Sequence, residues 1–403
     1  MFKVFIVDYS DRNTMTLDKI SIKRWTVMMG IAVTMIILMI PLTGPCFVAS
    51  RLDMPSRVGK DTVHYIPHAP IYIEGNENFT AANGVIGGNG TVDNPYIFEG
   101  WDIDASTAAW PLGSGIEIAN TNNHFIIRKC CVHDGDKNDS NREGICFVNA
   151  TYGVIRDCEI VRNDNGITLR SYGGTPSTQN TVTNCTVSYN GIGIYLHVSH
   201  HNDITGCSIS ENRDGVMLLY SNFNNISHCL VVNNSDAGVY MGNPVRGQGK
   251  SMAFLETRTR FNVVYNCAFS GNARGIEMVR GPAENMILNC GIAGSGYCGI
   301  VLSNQVHNNT ITGCTIQENK RGIYVSRSYY SGVSNDNLIY CNAFIGNHLH
   351  GVDTCDNRWD NGSVGNYWST YRWFDLNRDG IGDLPKYIPG GLNWDRYPIM
   401  QGR

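Results

Sequence analysis

Charge is scarce in this sequence. Only 16% of its 403 residues are Asp, Glu, Lys or Arg, against about 25% in an average soluble protein. Helical proteins need charged outer faces, so a mainly helical fold is disfavoured, and 44 glycines argue the same way. The net charge of −4 is small and unclustered. With no basic stripe and no Arg run interleaved with aromatics, nucleic acid is excluded as the expected partner. The fixed leucine spacing of leucine-rich repeats is also missing. Fourteen cysteines are present, but they are diluted over a chain too long for a small disulfide scaffold.

Long apolar runs are missing too, with one exception. From Trp25 to Leu42, WTVMMGIAVTMIILMIPL carries no charge, and that length is about the minimum for a helix to span a bilayer core. Lys19, Lys23 and Arg24 precede it, which puts residues 1–24 in the cytoplasm and the remainder outside. The expectation is a membrane anchor over residues 25–48. The alternative is a signal peptide cleaved near Val48-Ala49-Ser50. Either way, the rest of the chain is exported, beginning with a linker over 49–68.

What is abundant is repetition. Glycines before Ile or Val recur at 115, 144, 166, 193, 215, 238, 275, 299, 322 and 351, mostly 22 to 24 residues apart, with loops inserted in the longer steps. Such a period is the mark of a solenoid. Alternation within each unit, as in Ile194, Leu196 and Ile204, has period two and so means short strands. The expected fold is all-β: a right-handed parallel β-helix of about ten turns over 115–354, preceded by an N-terminal transmembrane helix. A cap with the first turns occupies 69–114 and a C-terminal cap 355–403. At about 4.8 Å per rung, ten turns make a rod roughly 45 to 50 Å long.

Residues at one place in successive turns stack. Cys130, Cys158, Cys185, Cys207, Cys229, Cys267, Cys290, Cys314 and Cys341 share one frame, and alternation turns them inward as a structural ladder. Vertical disulfides would strain the stack, because in-register parallel side chains keep their Cβ atoms about 4.8 Å apart, beyond the usual 3.5–4.5 Å. Small buried thiols filling a narrow interior is the favoured reading. A Cu(I)-thiolate column is disfavoured, since no nearby cation is evident to ionise the thiols. Asn163, Asn190, Asn212, Asn272 and Asn319 lie three residues before the repeat glycine, with Asn234 and Asn347 four before. Asn180, Asn202, Asn224, Asn262, Asn285 and Asn309 lie five before the cysteine. Both sets suit corner turns bonded amide to amide.

Two flanking stretches go beyond a generic solenoid. Residues 70–104, PIYIEGNENFTAANGVIGGNGTVDNPYIFEGWDID, and residues 357–400, NRWDNGSVGNYWSTYRWFDLNRDGIGDLPKYIPGGLNWDRYPIM, resemble the opening and closing segments of exported archaeal β-helix proteins of the NosD type. That group, often called the carbohydrate-binding and sugar-hydrolysis (CASH) family, belongs to the pectin-lyase-like superfamily. The resemblance covers about 70–403 and implies a capped right-handed β-helix on the cell surface. It does not by itself carry over the copper-enzyme maturation role of named NosD proteins, because function does not follow fold.

Polysaccharide hydrolases on this fold carry an adjacent Asp-Asp, a Gly-His-Gly and an Arg-x-Lys, and all three are absent here. The one dense acidic loop, with Asp134, Asp136, Asp139 and Glu143, reads as a solvated insertion, with a calcium cluster as the alternative. His197, His200 and His201, and His348 and His350, lack a complete ligand set and read as exposed loop residues. In DLNRDGIGD, Asp375, Asn377 and Asp379 occupy positions 1, 3 and 5 of a calcium loop, Gly380 gives the turn, and Ile381 and Asp383 follow at 7 and 9. Lys386 stands where an EF-hand has its Glu, so the loop is similar to the shorter calcium loops of surface proteins. A metal-free Asx-rich turn is the alternative.

Two places after each repeat glycine, side chains face outward: Glu117, Cys146, Thr168, Tyr195, Met217, Tyr240, Glu277, Val301 and Tyr324. Exposed Tyr195, Tyr240 and Tyr324 suit stacking on sugar rings or a partner protein, and a β-favourable residue choice on an exposed strand also explains them. Loops with Arg246, Lys250, Arg258, Tyr329 and Tyr330 wall this face. The expectation is a non-catalytic, membrane-anchored surface protein that binds glycan or an envelope protein, with calcium as its cofactor and copper not expected. The alternatives are a carbohydrate-active enzyme with a divergent site, which needs converging carboxylates on the exposed face, and a copper-handling accessory.

Overall fold

In the computed structural model, the residues described are 64–108, 113–135, 142–243, 258–327 and 332–400. The apolar segment 25–42, the loop residues Asp136, Asp139, Arg246 and Lys250, and the pair Tyr329 and Tyr330 lie outside them. Among the described residues no helix is long and apolar enough to cross a membrane. They contain no α-helix, only two 3-10 turns, Ala81–Asn83 and Ala105–Thr107.

Apart from an antiparallel pair in the cap, Lys386–Ile388 with Asn393–Asp395, the strands wind through three parallel sheets, one strand in each per turn. Sheet A has 12 strands from Ile66–Pro67 to Tyr367–Trp368, sheet B has 11 from Ile71–Glu74 to Leu349–Asp353, and sheet C has 10 from Tyr96–Glu99 to Leu338–Tyr340. Rungs are in register. On sheet B, Ile167, Ile194, Val216, Val239, Ile276, Ile300 and Ile323 pair in succession. These columns and their equivalents on the other two sheets form one apolar core of mostly fully buried side chains. Because every rung buries its apolar side against the next, the ends need lids. Phe79 stacks on Tyr96 at one end, and Trp368 stacks on Phe344 at 4.3 Å near the other.

The repeat glycines mark the tight bend from sheet A into sheet B. A Cβ on Gly215 would meet the Gly238 carbonyl oxygen at 2.5 Å and Val231 Cγ1 at 2.9 Å. Contact distance, rather than turn geometry, excludes a side chain there.

Each of the three corners carries its own polar ladder. Between sheets A and B, Asn190 N donates to Asn212 Oδ1 (2.9 Å) and Asn212 N to Asn234 Oδ1 (3.0 Å), while Asn212 Nδ2 donates to Val187 O (3.2 Å). Between B and C, the series from Asn180 through Asn202, Asn224, Asn262, Asn285 and Asn309 continues to Asn337 and Asn357. Between C and A stand the cysteines, which therefore serve a corner and not only an apolar filling. Cys207 Sγ donates to Thr205 O in its own turn (3.5 Å) and Val182 O in the turn before (3.7 Å). Cys130, Cys158, Cys185, Cys207, Cys229, Cys267, Cys290 and Cys314 are buried and unbridged. Burial pushes the thiols of Cys185 and Cys290 up, so they stay protonated and inert.

Cys341 does not join this ladder. Register pairs Thr312 with Tyr340 and Thr315 with Ala343, so Cys341 is equivalent to Gly313 and the rung is filled by Asn342. Like the residues before the other ladder cysteines, Cys341 has a left-handed backbone (φ 53°), and its sulfur is in a disulfide. The sequence frame slips by one because Cys341 and Asn342 exchange the usual order of turn residue and ladder residue.

Candidate functional site

Long six-residue strands make sheet B the broadest face, and its outward side chains fall into three columns. The central one runs Tyr72, Glu117, Cys146, Thr168, Tyr195, Met217, Tyr240, Glu277, Val301, Tyr324, each paired with the next. Tyr195, Tyr240 and Tyr324 thus share a face as expected, but they are half-buried, and Cys146, Thr168 and Val301 are buried outright. Side chains of the flanking columns lean over them. Cys146, for example, packs between Ala119 and Val148 in a small cluster outside the main core.

The column immediately before the glycines, Ser114, Glu143, Asn165, Ile192, Asp214, Ala237, Arg274, Cys298 and Arg321, is in register beside it. Two charged centres result. In the first, Ser114 Oγ lies 3.1 Å from Glu117 Oε2 and 3.4 Å from Glu143 Oε2, and Arg170 Nη1 lies 3.3 Å from Glu143 Oε1. Glu143 is almost wholly buried. Burial pushes Glu117 up against the opposing pull of Arg170, raises the Tyr195 hydroxyl to about 12, and with Arg170 depresses His197. Thr168 Oγ1 is buried there without a hydrogen-bond partner.

Farther along, Arg274 pairs with Asp236 and lies 3.6 Å from Glu277. Arg280 Nη1 donates to the Tyr240 hydroxyl (3.4 Å). The Arg321 guanidinium lies 4.9 Å from the Tyr297 ring and 5.3 Å from the Tyr324 ring. Burial raises both Asp214 and Glu277. The face therefore alternates half-buried rings with ion pairs whose charges nearly cancel.

Sequence reasoning missed the Glu117 and Glu143 pair because it read only the column two places after the glycine. Reading the position just before the glycine as well would have found it. Of the acidic loop's described members, Asp134 pairs with Arg162 and with His133 beside sheet A, while Glu143 turns onto sheet B. His197 is a half-buried strand residue, not an exposed loop residue, and His200 and His350 are half-buried as well.

At the C-terminal cap, Asp375, Asn377, Asp379, Ile381 and Asp383 form one tight loop. Asp379 N and Gly380 N donate to the two Asp375 carboxylate oxygens (3.2 and 3.1 Å), Ile381 N to Asp379 Oδ1 (2.8 Å), and Leu376 N to Asp383 Oδ2 (2.7 Å). The carboxylates are gathered by backbone amides, and Gly380 takes φ 85°. One group among the described residues brings three metal-ligating side chains within 4.8 Å of one another, and it lies elsewhere: Asp102, Cys131 and His133.

Comparison with known proteins matches residues 62–248 to the family described as "Right handed beta helix region" and residues 232–372 to "Periplasmic copper-binding protein (NosD)". A "Probable ABC transporter binding protein NosD" of Stutzerimonas stutzeri is 36% identical over 78 residues. That match spans 19% of this chain and 17% of the relative's length. Among solved structures, ORF18 of Geobacillus virus E2 is 14% identical with TM-score 0.49, covering 81% of this chain and 68% of its own. An alginate lyase from Paenibacillus sp. str. FPU-7 is 14% identical with TM-score 0.44, covering 75% and 94%. Both family matches fall on the three in-register parallel sheets, and the chain is thus a parallel β-helix similar to the right-handed β-helix and NosD families over those residues.

Proposed function

We propose that this is an exported surface protein that binds a glycan chain along the outer face of sheet B. The observation that carries the reading is the column of Tyr195, Met217, Tyr240, Glu277 and Tyr324 flanked by Arg170, Arg274, Arg280 and Arg321. Half-buried rings offer flat apolar surface to sugar faces, and fixed ion pairs offer hydrogen bonds to hydroxyls without a large desolvation cost. The apolar run 25–42 would tether the protein to the membrane with the β-helix outside, in keeping with the periplasmic description of the NosD family. Asp375, Asn377, Asp379, Ile381 and Asp383 would hold calcium in the cap. A glycan array probed with the full chain tests the main claim. Saturable binding, weakened at least tenfold in Tyr195→Ala/Tyr240→Ala, is expected. Equal binding by the variant, or none by the parent, overturns it.

A second reading has its own observation. Glu117 and Glu143 both contact Ser114 Oγ, which holds them closer than most of the roughly 6.5–9.5 Å range of inverting glycosidases. Burial favours a protonated Glu117, the state a general acid needs. Release of new reducing ends from an array-positive glycan, abolished by Glu117→Gln, would make the protein a hydrolase. No release would leave binding as its whole activity.

A further inference from the structure

Sheet A has an outer face too, and its first rungs gather a different chemistry. Asp102 lies on the strand Trp101–Asp104, and Cys131 and His133 on the neighbouring strand Cys131–His133. Register places Asp102 opposite Cys131 and Asp104 opposite His133. Alternation turns all four outward, while Ile103 and Val132 between them are fully buried.

Three ligand atoms of different softness, an Asp oxygen, the Cys131 sulfur and a His133 nitrogen, lie within 4.8 Å of one another. His133 Nε2 is 3.3 Å from Asp102 Oδ1. The other ring nitrogen is already engaged: Asp134 Oδ2 is 2.8 Å from Nδ1. With a metal ion held between Nε2 and Asp102, that contact would keep the remaining proton on Nδ1, the carboxylate–histidine arrangement found behind metal-bound imidazoles. Arg162 is ion-paired to Asp134, so the supporting carboxylate stays charged. A shallow, open depression lined in part by His68, Asp102, Asp104 and His133 lies beside the cluster, with Cys131 outside its lining. Cys131 is half-buried and unbridged, unlike its fully buried neighbour Cys130.

We infer that Asp102, Cys131 and His133 form a binding site for a divalent transition-metal ion of the zinc class. One nitrogen, one oxygen and one sulfur from the protein, with the open depression leaving a fourth position to water, is the donor set of an open tetrahedral zinc site. Magnesium and calcium are disfavoured by the sulfur and nitrogen donors. Binding converts the Cys131 thiol to a metal-bound thiolate, and its proton passes to solvent. The site is separate from the glycan face of sheet B, and it lies outside residues 232–372, where the NosD family match falls.

Titration of the chelator-stripped full chain with Co2+ tests this. Saturable tetrahedral cobalt bands with a thiolate charge-transfer band are expected, bleached by Zn2+. Cys131→Ser removes the charge-transfer band, and His133→Ala weakens cobalt affinity at least tenfold. Asp134→Asn, which removes the carboxylate behind His133 and its pair with Arg162 but no ligand, weakens affinity about 10–100-fold while keeping the charge-transfer band. Circular dichroism of each variant is compared with the parent to establish folding. Absence of saturable Co2+ and Zn2+ binding, a charge-transfer band that survives Cys131→Ser, or unchanged affinity in a folded His133→Ala protein each overturns the proposal. Binding of Cu+ alone, without Zn2+ or Co2+, overturns the zinc-class assignment.

Discussion

Asn342 does with an amide what Cys314 does with a thiol. Cys314 Sγ donates to Thr312 O and Ile287 O at 3.5 and 3.7 Å. One rung on, Asn342 Nδ2 donates to the equivalent carbonyls of Tyr340 and Ile311 at 3.0 and 2.9 Å, and its Oδ1 accepts Cys314 N at 3.0 Å. The two residue types solve one problem, giving corner carbonyls a side-chain donor in addition to any inter-rung amide, such as Asn289 N on Thr312 O.

The two solutions differ in strength. A thiol is a weak donor, and an amide satisfies both donors and acceptors. Cys207→Ala should cost about 1 kcal/mol, whereas Asn212→Ala, which orphans Asn190 N and removes a second donor from Val187 O, should cost about 2–4 kcal/mol. Urea unfolding of the two variants makes the comparison. Equal costs would mean that the asparagine ladder contributes no more than packing.

Free thiols provide a second check on the ladder. Native protein should react with a thiol reagent mainly at the half-buried Cys131 and Cys355, and the eight ladder cysteines should become reactive only on unfolding without reductant. With the buried Cys146 and Cys298 counted as well, fewer than ten newly reactive thiols would contradict unbridged stacking.

Gly215→Ala places its methyl carbon against the Gly238 carbonyl oxygen. With backbone on the far side there is nothing soft to give way, so a loss of about 1–3 kcal/mol or more is expected. Gly173→Ala is a contrasting case: its Cβ meets nothing within 4 Å, and its positive φ (68°) is the only source of strain. Thermal denaturation of the pair separates contact strain from backbone strain.

The lid over the last coil should respond to pH. Asp395 is fully buried and accepts from Trp368 Nε1 (2.7 Å) and Asn366 N (2.7 Å), yet burial dominates and lifts its carboxyl to about 7. Native protein then holds this proton where the unfolded chain has lost it. Stability contributed by the group is complete below the usual carboxylate range near pH 4, and it falls as pH rises to about 7, by on the order of 2–4 kcal/mol. Asp395→Asn should flatten that slope. Parallel slopes for parent and variant in urea melts across this range would refute the assignment.

Calcium in the cap loop should stabilise by the linkage of ligand to fold, about 2.7 kcal/mol at a hundredfold excess over its dissociation constant. A melting transition that rises with calcium, falls with chelator, and becomes indifferent to both in Asp375→Asn/Asp379→Asn is expected. An unchanged transition in the parent would leave the loop an amide-held turn.

Most of the architecture could be read from periodicity, because a solenoid writes its contacts at fixed intervals. The glycines before Ile or Val located the A-to-B bend, and both asparagine series located corners. Cys341 was misread because local sequence shows that a cysteine recurs, whereas rung pairing of Tyr340 and Ala343 decides which residue faces in. The site was less legible. Ion pairs such as Glu143 with Arg170 join residues 27 apart, in neighbouring turns and in different columns, so they appear only when two columns are read together. The Asp102, Cys131 and His133 cluster was hidden for a further reason: Cys131 stands beside a ladder cysteine that drew the explanation to itself.

In-register rungs also make length a countable property of this molecule. Glu143 and Arg274 occupy the same column five strands apart on sheet B, a span of about 24 Å at the interstrand spacing. Removing one whole coil would leave every column aligned and bring the two charged centres closer by a single increment of about 4.8 Å. The chain is a ruler graduated in coils.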